Sequence, residues 1–117
     1  MLIKVLKSKI HRATVTDAKV EYVGSITVDA DLLDTVGIVP GQCVLVSDLA
    51  NGQRFETYAI TGKPGSGTIC VNGAAARLVA VGDEVIIMAF GYVDADKPAP
   101  KPVIAIVDGD NKLVREM

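Results

Sequence analysis

Pro40-Gly-Gln-Cys-Val-Leu-Val46 recurs in related form as Val81-Gly-Asp-Glu-Val-Ile-Ile87, at a spacing of 41 residues. Each copy follows a segment that favours a short helix, which indicates two similar halves. Interlocked halves of this kind suit a small closed barrel, because closure removes exposed strand edges. The pattern does not give the strand order. A chance similarity between two Val-rich strands is the alternative interpretation.

Val-rich segments separated by glycine turns continue on both sides of this repeat. Asn51-Gly52 predicts a tight hairpin, since both central residues of such a turn need positive φ. Asp29 as N-cap and Gly37 as stop predict one helix, and a shorter one is predicted after Asn72. The chain is therefore expected to be mainly β with short helices. The candidate strands are residues 2–7, 11–16, 19–23, 26–28, 43–47, 55–61, 68–71, 85–92 and 103–107.

Length and composition exclude several classes of protein. A chain of 117 residues predicts a single domain. A net charge of -2 and an aromatic content of 4% count against a nucleic-acid surface, which needs basic and stacking side chains. No apolar segment approaches the roughly 18 residues that span a bilayer, and the N-terminus is too short and too charged for a secretory signal. We therefore expect a cytoplasmic protein that binds neither nucleic acid nor membrane.

The two cysteines, Cys43 and Cys70, stand alone in strand-like segments, and the single histidine, His11, is distant from both in sequence. Two buried, reduced thiols are predicted, and a disulfide or a functional site is the less favoured interpretation. No metal site is predicted.

Gly24-Ser25 lies between two strand-like segments and could be a peptide bond that cleaves itself. Glycine adopts backbone angles closed to other residues, and the serine places a hydroxyl near the preceding carbonyl carbon. If the fold strains this peptide, Ser25 Oγ can attack the Gly24 carbonyl, form an ester and leave by elimination. The product is a pyruvoyl group, an electrophile that forms a Schiff base with a substrate amine. Taken alone, Gly-Ser is ordinarily a turn or bulge.

The chain contains four segments that point to the same family: Lys9-Ile-His-Arg12, Tyr22-Val-Gly-Ser25, Arg54-Phe-Glu-Thr-Tyr58 and Val71-Asn-Gly-Ala-Ala-Ala76. Together they resemble the aspartate 1-decarboxylase family, the pyruvoyl enzymes that make β-alanine for pantothenate. The resemblance covers about residues 1–92 and is slight from Asp94 onward. It implies a six-stranded double-psi β-barrel, and self-cleavage into residues 1–24 and 25–117. It also implies a homotetramer with sites between subunits, and a covalent pyruvoyl group in place of a metal or pyridoxal phosphate.

The resemblance further implies roles for individual residues. Ser25 supplies the pyruvoyl group, and Tyr58 protonates the carbanion left by decarboxylation, because a phenol keeps its proton at neutral pH. Lys9 and Arg54 match the two carboxylates of L-aspartate. Thr57 donates a hydrogen bond to the Gly24 carbonyl oxygen during cleavage. The substrate is bound by backbone N–H groups of Asn72, Gly73, Ala74 and Ala75. His11 and Tyr22 line the site and support cleavage.

Three questions stay open at this stage. On an ideal strand Thr57 and Tyr58 point to opposite faces, so both reach one site only if the strand bends or they meet different parts of it. The Pro-rich segment after Asp94 is expected to be an extended connector, and residues 103–107 to pack on the barrel or on a neighbouring subunit. The alternatives for function are a β-barrel binding module and a pyruvoyl decarboxylase of another amino acid, and a maturation factor is a possible partner.

Overall fold

A computed structural model describes all residues, 1–117, and strands dominate it. One α-helix, α1, covers Ala30–Val36, and one 3₁₀ helix covers Gly73–Leu78. The class predicted from the sequence, mainly β with short helices, is confirmed. No helix has the length and apolar character needed to cross a membrane. The strands are β1 (Leu2–Thr14), β2 (Asp17–Lys19), β3 (Ser25–Asp29), β4 (Cys43–Asp48), β5 (Arg54–Gly62), β6 (Ile69–Asn72), β7 (Glu84–Asp94), β8 (Val103–Val107) and β9 (Leu113–Glu116).

All strands belong to one sheet, in the order β2-β6-β3-β5-β4-β7-β1-β8-β9. Only Val15 and Thr16 separate β1 from β2 in the chain, yet β2 stands at one end of the order and β1 near the other. The Thr16 N–H donates to the carbonyl of Ile69 in β6 at 2.8 Å. Because one bent segment pairs on both sides, the sheet closes into a barrel. With β1 and β2 counted as one bent strand, six strands form the barrel and the β8–β9 hairpin is an addition beside β1.

The two copies of the sequence repeat lie side by side in β4 and β7. These strands pair antiparallel, and Val46 lies opposite Ile87, the equivalent position of the other copy. The glycines that precede the two strands, Gly41 and Gly82, both have left-handed φ angles, of 88° and 95°. Equivalent residues therefore meet at a local two-fold axis, which supports the interpretation of two interlocked halves.

The core is aliphatic and lies inside the barrel and under α1. It contains twenty buried residues, none of them aromatic. The carboxylate of Asp29 caps α1 by accepting from the N–H of Asp31 at 2.9 Å. It also accepts from the N–H groups of Gly65 and Gly67. Burial acts to raise the pKa of Asp29, but these three backbone donors outweigh it and lower the pKa. The residue that begins the helix thus also holds the turn before β6.

Three details of the predicted strands were wrong. The predicted strands 2–7 and 11–16 are joined into a single strand, β1, which ends at Thr14 and has register shifts around Leu6 and Ile10. Of the predicted strand 19–23, Lys19 ends β2, and residues 20–23 form a turn after it, closed by a hydrogen bond from Tyr22 N to Lys19 O at 3.2 Å. Their β-branched and aromatic residues favour a strand, but no neighbouring strand pairs with them, and strand propensity mostly reflects packing. The short strand β9 was not predicted.

The hairpin predicted at Asn51-Gly52 does join β4 to β5, which pair antiparallel. Its turn is not the predicted type, because only Gly52 has positive φ, at 73°. The Asn51 side chain instead accepts from Gln53 N at 2.8 Å and donates to Leu78 O at 2.8 Å. A side chain therefore supplies the constraint that a second left-handed residue would have supplied.

The C-terminal segment packs on the barrel of its own chain. β8 pairs parallel with β1, and Ala105 and Val107 are buried. Asn111, in the turn before β9, is 1% exposed and donates to the carbonyls of Thr14 and Gly67, each at 2.8 Å. This amide fixes the added hairpin to the barrel.

Candidate active site

A pocket of about 530 Å³ opens beside Ser25, the first residue of β3. Ser25 is 3% exposed although the preceding residues, Val23 and Gly24, lie in solvent. The candidate cleavage site therefore sits where an exposed loop enters the barrel wall. The pocket is lined by Glu21, Tyr22, Val23, Ser25, Thr27, Tyr58, Ile60 and Asn72.

Tyr58 reaches this pocket because β5 runs parallel to β3. Ala59 pairs with Ile26, so Tyr58 stands level with Ser25. Alternation along β5 then directs Ala59 into the core and leaves Tyr58 and Ile60 at the pocket. Tyr58 is 39% exposed, so its ring forms part of the pocket mouth. The parallel β3–β5 pair is thus the element that joins the predicted proton donor to the predicted nucleophile.

Asn72 stands directly across the sheet from Ser25, because β6 pairs antiparallel with β3. Its side-chain Nδ2 donates to Ser25 Oγ at 3.0 Å, and the amide is 4% exposed. Ser25 Oγ in turn donates to the Val23 carbonyl at 3.4 Å. The hydroxyl is therefore held by one donor and one acceptor next to the Gly24 carbonyl.

The structure assigns the special glycine conformation to Gly73 rather than to Gly24. Gly24 has a negative φ, and a Cβ there would meet only the Asn72 carbonyl oxygen, at 3.9 Å. Gly73 has a φ of 79°, and a Cβ there would lie 2.6 Å from Gly24 Cα. The backbone freedom expected of Gly24 is not used. The residue that must be glycine is the one against which the cleavage loop packs.

Tyr22 lines the same pocket from the loop. Its ring lies beneath the Lys19 ammonium, with Nζ 4.7 Å from the ring centroid, and Lys19 also contacts the Asp17 carboxylate at 3.8 Å. A cation over an aromatic ring stabilises this arrangement by roughly 0.5–1 kcal/mol at exposed sites. The contact gives the loop before the cleavage site a preferred position.

The two cations expected to bind the substrate, Lys9 and Arg54, do not line this pocket within one chain. Arg54 begins β5, four residues before Tyr58, which places it roughly 13 Å away along the strand. Lys9 lies on β1, paired with Met88, and two strands, β4 and β7, separate β1 from β5. Neither cation has an ion-pair partner. A single chain therefore brings the nucleophile and the proton donor together and leaves the predicted carboxylate ligands elsewhere.

His11 and Thr57 also lie outside the pocket. His11 is half-buried on β1, and its Nδ1 is buried without a hydrogen-bond partner. Burial, followed by the charges of Lys9 and Arg12, lowers its pKa, so the imidazole is neutral at pH 7. Thr57 pairs with Val44 and points away from Tyr58, as an ideal strand requires. Their roles in cleavage stay predictions.

The predicted short helix after Asn72 is confirmed as the 3₁₀ helix. Gly73 is buried at its start, whereas Ala74 is exposed, and neither alanine of the predicted binding set, Ala74 or Ala75, lines the pocket. Their contact with substrate stays a prediction.

The cysteine prediction is half right. Both thiols are free, and Cys70 is buried as expected, but Cys43 is exposed on β4. Partial desolvation of the Cys43 thiol raises its pKa although the residue is exposed, and the neighbouring Glu56 carboxylate raises it further.

Two residues of the site, Thr27 and Cys70, were missed from the sequence. Thr27 lies two residues after Ser25 on β3, and Cys70 lies two residues before Asn72 on β6. Each pair thus shares one face of its strand. The spacing of two residues could have indicated them, but only with the knowledge that β3 pairs with β6.

Comparisons with known proteins identify the family of this chain. The model of the family described as aspartate decarboxylase matches residues 1–114. The match thus extends into the segment from Asp94 onward, where the sequence alone gave only a slight resemblance.

Aspartate 1-decarboxylases from three organisms are similar to this chain. The protein of Caldicellulosiruptor saccharolyticus is 57% identical over 98% of this chain and 91% of its own length. That of Corynebacterium efficiens is 55% identical over 97% of this chain and 85% of its own length. That of Neisseria meningitidis is 58% identical over 92% of this chain and 86% of its own length.

A solved structure supports the fold independently. The rationally designed protein mkDPBB_sym1, a double-psi β-barrel, superposes with a TM-score of 0.50 at 23% identity, over 74% of this chain and 96% of that protein. The barrel predicted from the resemblance is therefore confirmed. The chain belongs to the aspartate decarboxylase family.

Proposed function

We propose that this protein cleaves itself at Gly24-Ser25 and then decarboxylates L-aspartate to β-alanine and CO₂, a step that supplies pantothenate synthesis. The observation that carries the proposal is the shared pocket of Ser25, Asn72 and Tyr58 in a member of the aspartate decarboxylase family. Ser25 is buried next to the peptide bond it would attack, and Tyr58 stands level with it.

Self-cleavage would begin at Ser25 Oγ. The oxygen attacks the Gly24 carbonyl carbon, the hydroxyl proton passes to the amide nitrogen, and the C–N bond breaks to leave an ester. The ester is then eliminated: the residue 25 Cα proton is lost to solvent, the Cβ–Oγ bond breaks, and the electron pair leaves with the Gly24 carboxylate. The dehydroalanine that remains tautomerises, and water replaces its nitrogen, which departs as ammonia. The products are residues 1–24 and a chain of residues 25–117 with a pyruvoyl N-terminus.

The residues present fit such a group. Ser25 faces a pocket large enough for a four-carbon amino acid, and Asn72 already places an N–H group 3.0 Å from its side-chain oxygen. When formed, a pyruvoyl group supplies an electrophilic carbonyl that withdraws electrons from a substrate held through its amine. Tyr58 would then deliver a proton to the substrate carbon that has lost CO₂, because its ring lies at the pocket mouth beside residue 25.

Lys9 and Arg54 would bind the substrate carboxylates from a neighbouring subunit of a homotetramer. Both cations lack ion-pair partners, and Arg54 is exposed. Neither lines the pocket of its own chain, and both lie away from Tyr58, Arg54 along the strand and Lys9 across the sheet. Thr57 and His11, which do not line that pocket within one chain, would act in the same two-subunit site. A two-subunit site reconciles the roles implied by the family with the separation of these residues in one chain.

The rival functions make different predictions. A β-barrel binding module would leave the chain whole and release no CO₂, and membership of the aspartate decarboxylase family disfavours it. A decarboxylase of another amino acid would share the electrophile but not the spacing of the cations. The compartment, predicted to be the cytoplasm, and the need for a maturation factor stay predictions.

The test is a comparison of CO₂ release from L-aspartate and from L-glutamate by the purified chain, with β-alanine identified by mass spectrometry. We expect rapid turnover of aspartate and little of glutamate, because one added methylene misplaces the second carboxylate. Equal rates, or a preference for glutamate, would contradict the proposed substrate.

A further inference from the structure

Four polar side chains lie at the corners of a square on one face of the β3–β6 pair. Ser25 lies opposite Asn72, and Thr27 lies opposite Cys70. Side chains two residues apart on a strand share a face, and opposite residues of an antiparallel pair lie about 5 Å apart at Cβ. Three corners of the square are almost fully buried, at 3% exposure for Ser25, 4% for Asn72 and 5% for Cys70.

The Asn72 amide makes three hydrogen bonds within this square. Nδ2 donates one hydrogen to Ser25 Oγ and the other to Thr27 Oγ1, each at 3.0 Å. Oδ1 accepts from Cys70 Sγ at 3.3 Å. Burial, followed by the Asp17 carboxylate, raises the pKa of the Cys70 thiol, so the thiol keeps the hydrogen that it donates.

These contacts select one of the two orientations of the amide. If the amide turned over, Nδ2 would face sulfur, a weak acceptor, and the thiol hydrogen would lose its partner. Oδ1 would then face Ser25 Oγ and accept its hydroxyl hydrogen. In the observed orientation Ser25 Oγ receives a hydrogen from Asn72 and directs its own towards Val23 O.

We infer that Cys70 and Thr27 are positioning residues for self-cleavage, which hold the Asn72 amide with its NH₂ group towards Ser25 Oγ. This inference rests on the proposed function. The N–H donor matters most when the Cβ–Oγ bond breaks, because the electron pair then moves onto that oxygen as the Gly24 carboxylate leaves. A fixed donor aimed at developing negative charge lowers the barrier without further reorganisation. Neither residue touches the peptide bond, so both act through Asn72.

The test uses two pairs of matched variants. Cys70→Ala removes the thiol donor and Cys70→Ser keeps a donor, whereas Thr27→Val removes the acceptor at nearly constant shape and Thr27→Ser keeps it. Intact-protein mass spectrometry follows the appearance of residues 1–24 and 25–117 with time. Cys70→Ala and Thr27→Val should slow cleavage roughly threefold to tenfold, the rate equivalent of one hydrogen bond. Cys70→Ser and Thr27→Ser should cleave at close to the wild-type rate.

A second readout separates positioning from a general loss of packing. Hydroxylamine cuts the ester intermediate and leaves an unmodified Ser25 N-terminus, which differs in mass from the pyruvoyl product. If the donor assists elimination, Cys70→Ala and Thr27→Val should accumulate hydroxylamine-sensitive ester, and the serine variants should not. A mere decrease in stability slows cleavage without raising the fraction of ester.

The outcomes distinguish the two proposals. A wild-type chain that stays whole overturns the proposed function and this inference with it. A wild-type chain that cleaves while all four variants cleave equally fast, with no added ester, overturns this inference alone.

Discussion

Gly73 lies directly against Gly24, so that a Cβ atom on Gly73 would come within 2.6 Å of the Gly24 Cα. It would also approach Gly24 N at 2.9 Å and the Tyr22 carbonyl oxygen at 3.2 Å. These neighbours are backbone atoms of the cleavage loop, which cannot rotate away as a flexible side chain would. The position of the cleavage loop thus depends on the absence of a side chain at residue 73.

Gly73→Ala should therefore displace the cleavage loop and slow or abolish self-cleavage. Its control is Gly82→Ala, because Gly82 has a similar left-handed φ of 95° but no heavy atom within 4 Å of a Cβ placed there. Both variants carry the left-handed backbone penalty, roughly 1–2 kcal/mol. Only Gly73→Ala adds the collision. Intact mass against time measures cleavage, and equal rates for the two variants would show that the contact does not matter.

Tyr58→Phe should separate cleavage from catalysis. The substitution removes the hydroxyl at the pocket mouth but keeps the ring, so residues 1–24 and 25–117 should still form. β-Alanine production should fall by roughly 10²–10⁴, the usual effect of losing a general acid. Turnover is measured only on fully cleaved protein. A fully cleaved Tyr58→Phe enzyme with wild-type turnover would mean that the proton comes from another group.

Arg54 offers a test of the two-subunit site by complementation. Arg54→Ala should cleave normally but bind aspartate poorly, and Ser25→Ala should retain Arg54 but lack the pyruvoyl group. If Arg54 of the partner subunit serves each pocket, co-expression of the two inactive variants creates some complete sites, and part of the activity returns. A site made within one chain predicts no recovery. Size-exclusion chromatography with light scattering reports whether the mixed chains assemble.

Asp48 should make the stability of the barrel depend on pH. It is 2% exposed at the end of β4, and its Oδ2 is buried with no hydrogen-bond partner. Burial, followed by the neighbouring Asp83, raises the pKa of the Asp48 carboxyl. An aspartate with a raised pKa in the folded protein supports stability at low pH, and this support is lost as the pH rises through its folded-state pKa.

Asp48→Asn should therefore stabilise the protein at neutral pH, by about 1 kcal/mol, the net value of a satisfied hydrogen bond. The gain should shrink as the pH falls towards the ordinary pKa of aspartate, about 4. Denaturant unfolding at several pH values measures it. A gain that is constant with pH would show that ionisation of Asp48 is not responsible.

The sequence predicted the local elements of the fold but not the pairings that make the site. The repeat around Val46 and Ile87 indicated two halves, and Asp29 and Gly37 delimited α1, because each signal lies within a few residues. The approach of β5 to β3, and of β6 to β3, joins residues far apart in the chain. Periodicity carries no information on such pairings, so Thr27 and Cys70 were not recognised.

The site residues also divide into those that one chain brings together and those that it does not. Ser25, Tyr58, Asn72 and Tyr22 came from the family resemblance, and the structure brings them to one pocket. Lys9 and Arg54 came from the same resemblance, yet neither lines that pocket within one chain. The proposed two-subunit site would account for this separation. The left-handed conformation belongs to Gly73 and not to Gly24, and the sequence does not show that these two glycines lie in contact.

The central claim is that Ser25 cuts its own chain, and the mass of the purified protein tests it most directly. A preparation that decarboxylates aspartate should contain two polypeptides, residues 1–24 with a free carboxylate and residues 25–117 with a pyruvoyl N-terminus. Ser25→Ala, which removes the nucleophile at almost constant volume, should fold and stay whole. An active wild-type preparation that contains only the intact chain of 117 residues would contradict the account.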